Sequence, residues 1–216
     1  MDDIAISNTS IKIKQLGTVD YLTTWQAMKE FTNERSAITQ DEIWLLQHPP
    51  IYTQGLAGKP EHLLQSSRID VIKTDRGGQI TYHGPGQIIA YLLLDMRRTK
   101  LGVRELVTRM ENAVIDLLKD EHIQAENRLD APGVYVNNAK IAALGLKIKK
   151  GYCYHGIALN VDMDLTPFSN INPCGYANLQ VTQTKNLGIT DSIETISDKL
   201  IAQLTKQIYR NEQSPS

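Results

Sequence analysis

Cys174 stands in Ile171-Asn172-Pro173-Cys174-Gly175-Tyr176, with proline before it and glycine after it. That setting predicts a rigid turn that presents the thiol beside main-chain N–H groups able to accept developing negative charge. A thiol held this way is a candidate nucleophile. It must ionise near neutral pH, so it needs a base or a cation close by. Two residues could serve. His83 carries an imidazole, which titrates near working pH. Lys140 heads the run Ala139-Lys140-Ile141-Ala142-Ala143-Leu144-Gly145, and enclosure there would make a neutral amine accessible as a base. The residues alone leave both open. The plainer readings are an inert buried cysteine and a lysine at a solvated strand end.

A second constellation is Arg76-Gly77-Gly78-Gln79-Ile80-Thr81-Tyr82-His83-Gly84-Pro85-Gly86-Gln87. Four glycines and a proline surround one histidine there, between two strand-like runs. Backbone without Cβ can approach a ligand closely, so the stretch reads as a place where substrate lies against main chain. Ordinary tight turns would use the same residues. Cys153 and His155 invite a metal reading, but no second ligand pair stands at finger spacing, so no metal is expected. Strand alternation predicts that these two side chains share a face. Lys147, Lys149 and Lys150 read as a solvated hairpin tip, or as a docking patch for an acidic protein.

The elements that must position these groups follow from periodicity. Ile11 to Leu16 alternates as a half-buried strand, and Asp20 to Phe31 carries Leu22, Trp25 and Met28 at helical spacing. Glu42 to Gln47 is a short strand stopped by His48-Pro49-Pro50, and residues 51–67 read mostly as loop. Asp70 to Thr74 and Gln79 to Tyr82 are strand-like, joined through the glycine pair. Gln87 to Met96 is a long buried strand. Val103 to Leu118 puts eight apolar residues on one face, a strong helix signature. Gly133 to Val136 is a short strand. Lys140 to Ile148 and Tyr152 to Val161 flank a glycine turn as a hairpin. Asp162 to Leu187 is irregular, and Asp191 with Glu194 resembles a capping box opening a final helix. Regular strand–helix alternation is missing, so the expected class is α+β, a mixed and largely antiparallel sheet packed with helices.

The 216 residues suit a single domain, 1–216, with 211–216 as a frayed tail. A hydrophobic fraction of 41%, a charged fraction of 22% and a net charge of −1 fit a globular protein without a field that would attract nucleic acid or an acidic membrane. The start lacks the features of a signal peptide and no apolar run is long enough to cross a bilayer. With only two cysteines, no disulfide framework is expected and the compartment should be cytoplasmic and reducing.

Three blocks, Arg76 to Gln87, Lys140 to Gly145 with His155 to Val161, and Asn172 to Gly175, together resemble the lipoyl(octanoyl) transferases, also called the lipoate–protein ligase B family. They occur in that family's order, and the resemblance covers essentially the whole chain. It implies the catalytic domain fold shared by biotin and lipoate protein ligases. It implies transfer of an octanoyl group from octanoyl-acyl carrier protein to a lysine of lipoyl domains, those of 2-oxoacid dehydrogenases and the glycine cleavage H protein. Cys174 would carry the acyl group as a thioester and Lys140 would lower the thiol's pKa. Substrate contacts would fall to Arg76, Gly77, Gly78, Gln79, Ile80, Thr81, Tyr82 and His83, to Ala143, Leu144 and Gly145, and to Gly156, Ile157 and Ala158. No cofactor is implied. Exchange of a thioester for an amide runs downhill, so ATP is not required, and the chain has no Walker-type loop. The rivals are an ATP-dependent lipoate or biotin ligase on the same fold, octanoyl transfer between lipoyl domains, and a non-catalytic carrier-binding module.

Overall fold

A computed structural model describes residues 11–65, 68–172 and 179–209. In chain order the elements are β1 (Lys12–Thr18), α1 (Tyr21–Glu34), β2 (Glu42–Gln47), β3 (Ile51–Gln54), β4 (Val71–Lys73), β5 (Ile80–His83), β6 (Gln87–Asp95), α2 (Met96–Thr99), α3 (Val103–Asp120), β7 (Glu126–Asn127), β8 (Val134–Val136), β9 (Ala139–Lys149), β10 (Tyr152–Asn160) and α4 (Ile193–Ile208). The class is the expected α+β.

Seven strands form one sheet in the order β1-β2-β6-β10-β9-β8-β7. β1 and β2 are parallel and the other neighbours antiparallel. All nine residues of β6 are buried, because its two faces meet two different layers. Ile88, Ala90, Leu92 and Leu94 face α3 and α4 in one core, with Leu106, Met110, Leu117, Leu200 and Leu204. Ile89, Tyr91 and Leu93 face α1 in a second core, with Met28, Trp44 and Ala158. A continuous apolar run is what a strand covered on both faces requires. Filling both layers removes on the order of a few thousand Å² of apolar surface from water, the dominant stabilising term.

A three-stranded sheet, β4-β3-β5, stands beside the large one and packs Tyr52, Ile80 and Tyr82 against Met163, Phe168 and Ile171. The glycine pair does join β4 to β5. The two do not pair with each other, however, since β3 lies between them. The hairpin tip between β9 and β10 uses Lys150 (φ 52°) and Gly151 (φ 81°), the left-handed pair that matches strand twist in a two-residue turn.

Three expectations need correction. Residues 51–54 are strand β3 rather than loop, since they gain partners on both sides. The cap of α4 is Ser192, whose side chain accepts from Thr195 N–H. Asp191 instead binds Lys199. Cys153 and His155 do not share a face. Cys153 is fully buried in the core against α3 and α4, where burial pushes its thiol pKa up, while His155 turns to the α1 side.

Candidate active site

A narrow cavity lies between the α1 face of the large sheet and the segment that leads into β5. Its walls are Arg76, Gly78, Gln79, Ile80, Thr81 and His83 from that segment, Ala143, Leu144 and Gly145 from β9, and Gly156, Ile157 and Ala158 from β10. Twelve of the fourteen residues expected to contact substrate therefore meet around one space. Tyr82 does not. Its ring packs into the small sheet's core, tilted against Tyr52 and edge-on to Phe168. Gly77 lines an adjoining groove with Val103, Val107 and Pro132, and its N–H donates to Leu146 O at 2.9 Å.

The walls can close because side chains are missing where backbones meet. A Cβ on Gly156 would fall 1.9 Å from Ala90 O, and one on Gly145 would fall 3.0 Å from Arg76 Cδ and 3.1 Å from Gly77 O. Arg76 is 8% exposed. Its guanidinium donates to Thr53 O (2.6 Å), Thr53 Oγ1 (2.9 Å) and Gln79 O (2.9 Å). It thus ties the glycine segment to β3 and holds the cavity's roof.

Lys140 reaches this face through a bulge. Val134 pairs with Ala142 but Tyr135 pairs with Lys140, so the register shifts at Ile141. Ile141 and Ala142 both enter the core under α3 and α4, and Lys140 is left on the side of Ala143. A bulge re-aims one side chain without disturbing the rest of a strand. Lys140 does not line the cavity itself. It sits three residues along β9 from Ala143, roughly 10 Å by strand rise. The residue is 3% exposed. Nζ donates to Pro132 O at 3.0 Å and lies 5.1 Å from the Tyr135 ring centroid.

His83 is engaged at both nitrogens. Arg76 Nε donates to Thr53 Oγ1, so that hydroxyl directs its own proton to His83 Nε2 at 3.2 Å. Nδ1–H donates to Gln87 Oε1 at 2.8 Å, and Gln87 Nε2 donates to Asn160 Oδ1 at 2.9 Å. Burial, with His48 nearby, pushes the His83 pKa down to about 3. His48 donates from Nδ1 to Val19 O (2.7 Å) and accepts the Tyr91 hydroxyl at Nε2 (2.8 Å). Burial lowers it to about 4, against the pull of the Val19 carbonyl and Asp20. Both rings are neutral wall components at neutral pH.

Several further residues at the cavity were not among the expected substrate contacts. Tyr21, Ile89, Tyr91 and His155 also line it. Behind them Asp75 accepts Trp25 Nε1–H (2.9 Å), His155 Nε2–H (2.9 Å) and the Tyr154 hydroxyl. Consecutive strand residues normally point to opposite faces. His155 has φ 64°, and that left-handed backbone brings it to the same carboxylate as Tyr154. Burial would raise the Asp75 pKa, but the hydrogen bonds from His155 and Tyr154 outweigh it and hold the carboxyl well below its ordinary value. Burial lowers the His155 pKa despite the Asp75 bond.

Cys174, with its Pro-Cys-Gly turn, lies outside the described residues. The chain on either side is anchored. Asn172 N–H donates to His62 O at 2.8 Å, and Ile171 bridges Leu63. Gln180 O accepts Lys140 N–H at 2.8 Å, and Thr182 N–H donates to Lys140 O at 2.9 Å. Gln180 and Thr182 thus hold the backbone of Lys140 between them. Among the described residues no group of three His, Cys, Asp or Glu could hold a metal ion, and no helix is long and apolar enough to cross a membrane.

Comparison with known proteins agrees with this geometry. The lipoyl protein ligase A/B catalytic domain matches residues 20–205. The octanoyltransferase of Nitrosomonas eutropha is 64% identical over 203 residues, covering 92% of this chain and 90% of that protein. That of Chromobacterium violaceum is 60% identical over 202 residues, covering 94% and 98%. Among solved structures, a bi-partite lipoate protein ligase from Thermoplasma acidophilum superposes with a TM-score of 0.71 at 16% identity, covering 92% of this chain and 83% of that one. The biotin protein ligase from Aquifex aeolicus in complex with biotin and ATP gives 0.60 at 12% identity, covering 94% and 73%. With a seven-stranded sheet walled on both faces, a glycine-roofed cavity and these relatives, the chain belongs to the lipoyl protein ligase A/B catalytic domain family.

Proposed function

We propose that this protein is an octanoyltransferase of lipoyl cofactor synthesis that works through an acyl-enzyme on Cys174, with octanoyl-acyl carrier protein as donor and the target lysine of lipoyl domains as acceptor. The octanoyl transfer itself accords with relatives 55–64% identical that carry that name. The observation that carries the mechanism is Lys140: a buried amine on the cavity face, bonded through its backbone to the chain that follows Cys174.

In the first half-reaction the Cys174 thiolate, its proton taken or its charge balanced by Lys140, attacks the donor thioester carbonyl. A new C–S bond forms, the old one breaks, and the carrier thiol leaves protonated. Main-chain N–H groups stabilise the oxyanion between those events. In the second, the acceptor lysine attacks as a neutral amine. A C–N bond forms, Cys174 leaves as thiolate, and the amine proton passes to Lys140 or to that sulfur. The apolar walls at Ile89, Ala143 and Ala158 suit the hydrocarbon chain. His83, with both nitrogens engaged and its ring held neutral, orders the wall.

The test offers three donors in parallel to a lipoyl domain: octanoyl-carrier protein, octanoate with ATP, and an octanoylated second domain. Transfer from carrier protein without ATP supports the reading. Transfer only from octanoate with ATP would assign a ligase, and transfer only from the second domain would assign a domain-to-domain transferase.

A further inference from the structure

His155 is 1% exposed and lines the acyl cavity. Its Nε2 is committed to Asp75 as a donor, so the lone pair of the neutral ring sits on Nδ1. That nitrogen is buried without a hydrogen-bond partner. Gln79 lines the same cavity, and its Oε1 is likewise buried without a partner. A buried acceptor left unpaired is costly, and native structures keep few of them. Two on one cavity point to a donor that arrives from outside.

Register says where along the cavity they stand. Ala143 pairs with Ala158, and Leu146 pairs with His155. The second pair lies three positions further from Lys140, roughly 10 Å by strand rise. An extended eight-carbon chain, seven C–C bonds of about 1.5 Å in zigzag, has much the same length. Gly77 N–H bonds Leu146 O, which brings Gln79, two residues on, to the same end. The Lys140 side chain runs back toward Ala142, since a Cβ on Gly133 would lie 2.8 Å from Ala142 O and 3.0 Å from Lys140 Nζ. A thioester beside that amine thus starts near Ala143, and the chain's tail reaches His155 and Gln79. The reactive carbonyl does not, so neither residue is a base in the transfer.

We propose that the inner end of the cavity is a hydrogen-bonding subsite, in which His155 Nδ1 and Gln79 Oε1 accept a proton donor carried on the tail of a medium-length acyl chain, a hydroxyl or thiol. Asp75 acts through His155: by accepting Nε2–H it fixes the tautomer and aims the acceptor. This inference rests on the reading of the cavity as the acyl chamber. It goes further, because an all-apolar chamber end would reject such a tail by about 10- to 100-fold, the penalty for burying an unpaired hydroxyl.

The test measures kcat/KM for transfer from carrier protein of octanoyl, ω-hydroxyoctanoyl and ω-fluorooctanoyl chains. The fluoro chain matches the hydroxyl in size and lacks the donor. Transfer of octanoyl in the same assay reports on the chamber itself. The subsite predicts that the hydroxyl chain exceeds the fluoro chain, and that the hydroxyl-to-fluoro ratio falls at least tenfold in His155→Phe. A hydroxyl chain transferred no better than the fluoro chain overturns the proposal while leaving octanoyl transfer intact. So does a ratio that a folded His155→Phe leaves unchanged. Should that variant fail to fold, the comparison of chains on the unmodified protein decides alone.

Discussion

Lys140 and Ala142 are two positions apart on β9 yet face opposite sides of the sheet, because the register slips at Ile141. In a regular strand they would point the same way, and the lysine would be buried under α3 and α4 among leucines. The bulge gives the amine a neighbour in the acyl chamber and a carbonyl, Pro132 O, to bind. In the proposed mechanism that amine is the partner of Cys174.

Replacing that amine tests the partnership. Lys140→Met keeps length and apolar body while removing the charge and the donor. Transfer should fall by roughly 10²- to 10⁴-fold, the range for a positioned acid–base group. The rate of thiol alkylation against pH should shift to higher pH. An alkylation profile that matches the unmodified protein would remove Lys140 from the role.

Gly156 is the closest backbone crossing in the chamber floor. In Gly156→Ala the new Cβ meets Ala90 O at 1.9 Å, and both strands are hydrogen-bonded neighbours. Neither can retreat without breaking the ladder. The variant should lose at least about 1–3 kcal/mol, read as a lower urea midpoint. An unchanged midpoint would show that β6 and β10 have slack that the geometry denies.

Acid should weaken the fold in a defined window. His48 and His83 are fully and nearly fully buried, with pKa values of about 4 and about 3, against an unfolded value near 6.5. Between those limits the unfolded chain binds protons that the folded chain refuses. Stability is thus present above about 6.5 and drains as pH falls. Each ring contributes up to roughly 1.4 kcal/mol per pH unit, and the lowered value of His155 acts in the same direction. Urea midpoints measured from about pH 7.5 down to about pH 5 should decline steadily. A flat profile would mean that both rings accept protons in the folded state.

Chamber depth should set chain length. Ala143 and Ala158 face each other across β9 and β10 and line the cavity. Ala143→Leu should lower kcat/KM for octanoyl relative to hexanoyl by at least about tenfold, since a single methylene in a fitted pocket is worth that much. An unchanged ratio would place the chain elsewhere.

How legible this was depended on the range of the interaction. α3 and β6 could be read from residue order, since their burial follows a local period. The chamber wall at 76–83 was legible from its glycines, whereas 143–145 and 156–158 were legible only through the family resemblance. β3 was not, because Ile51-Tyr52-Thr53-Gln54 is strand only through distant partners on both sides. The Ile141 bulge depends on β8, and the left-handed backbone of His155 contradicts the alternation around it. Asp75 and Tyr21 are single polar residues in unremarkable runs. Their place beside the chamber comes from the packing of α1 and the small sheet on the large one.

The acyl-enzyme is the most direct measure of the central claim. The protein is incubated with octanoyl-carrier protein and no acceptor, then weighed intact, alongside Cys174→Ala. The account predicts one octanoyl mass on the unmodified protein, released by hydroxylamine or by a lipoyl domain, and none on the variant. Full transfer to a lipoyl domain by Cys174→Ala, or octanoyl mass gained at another residue, would contradict it.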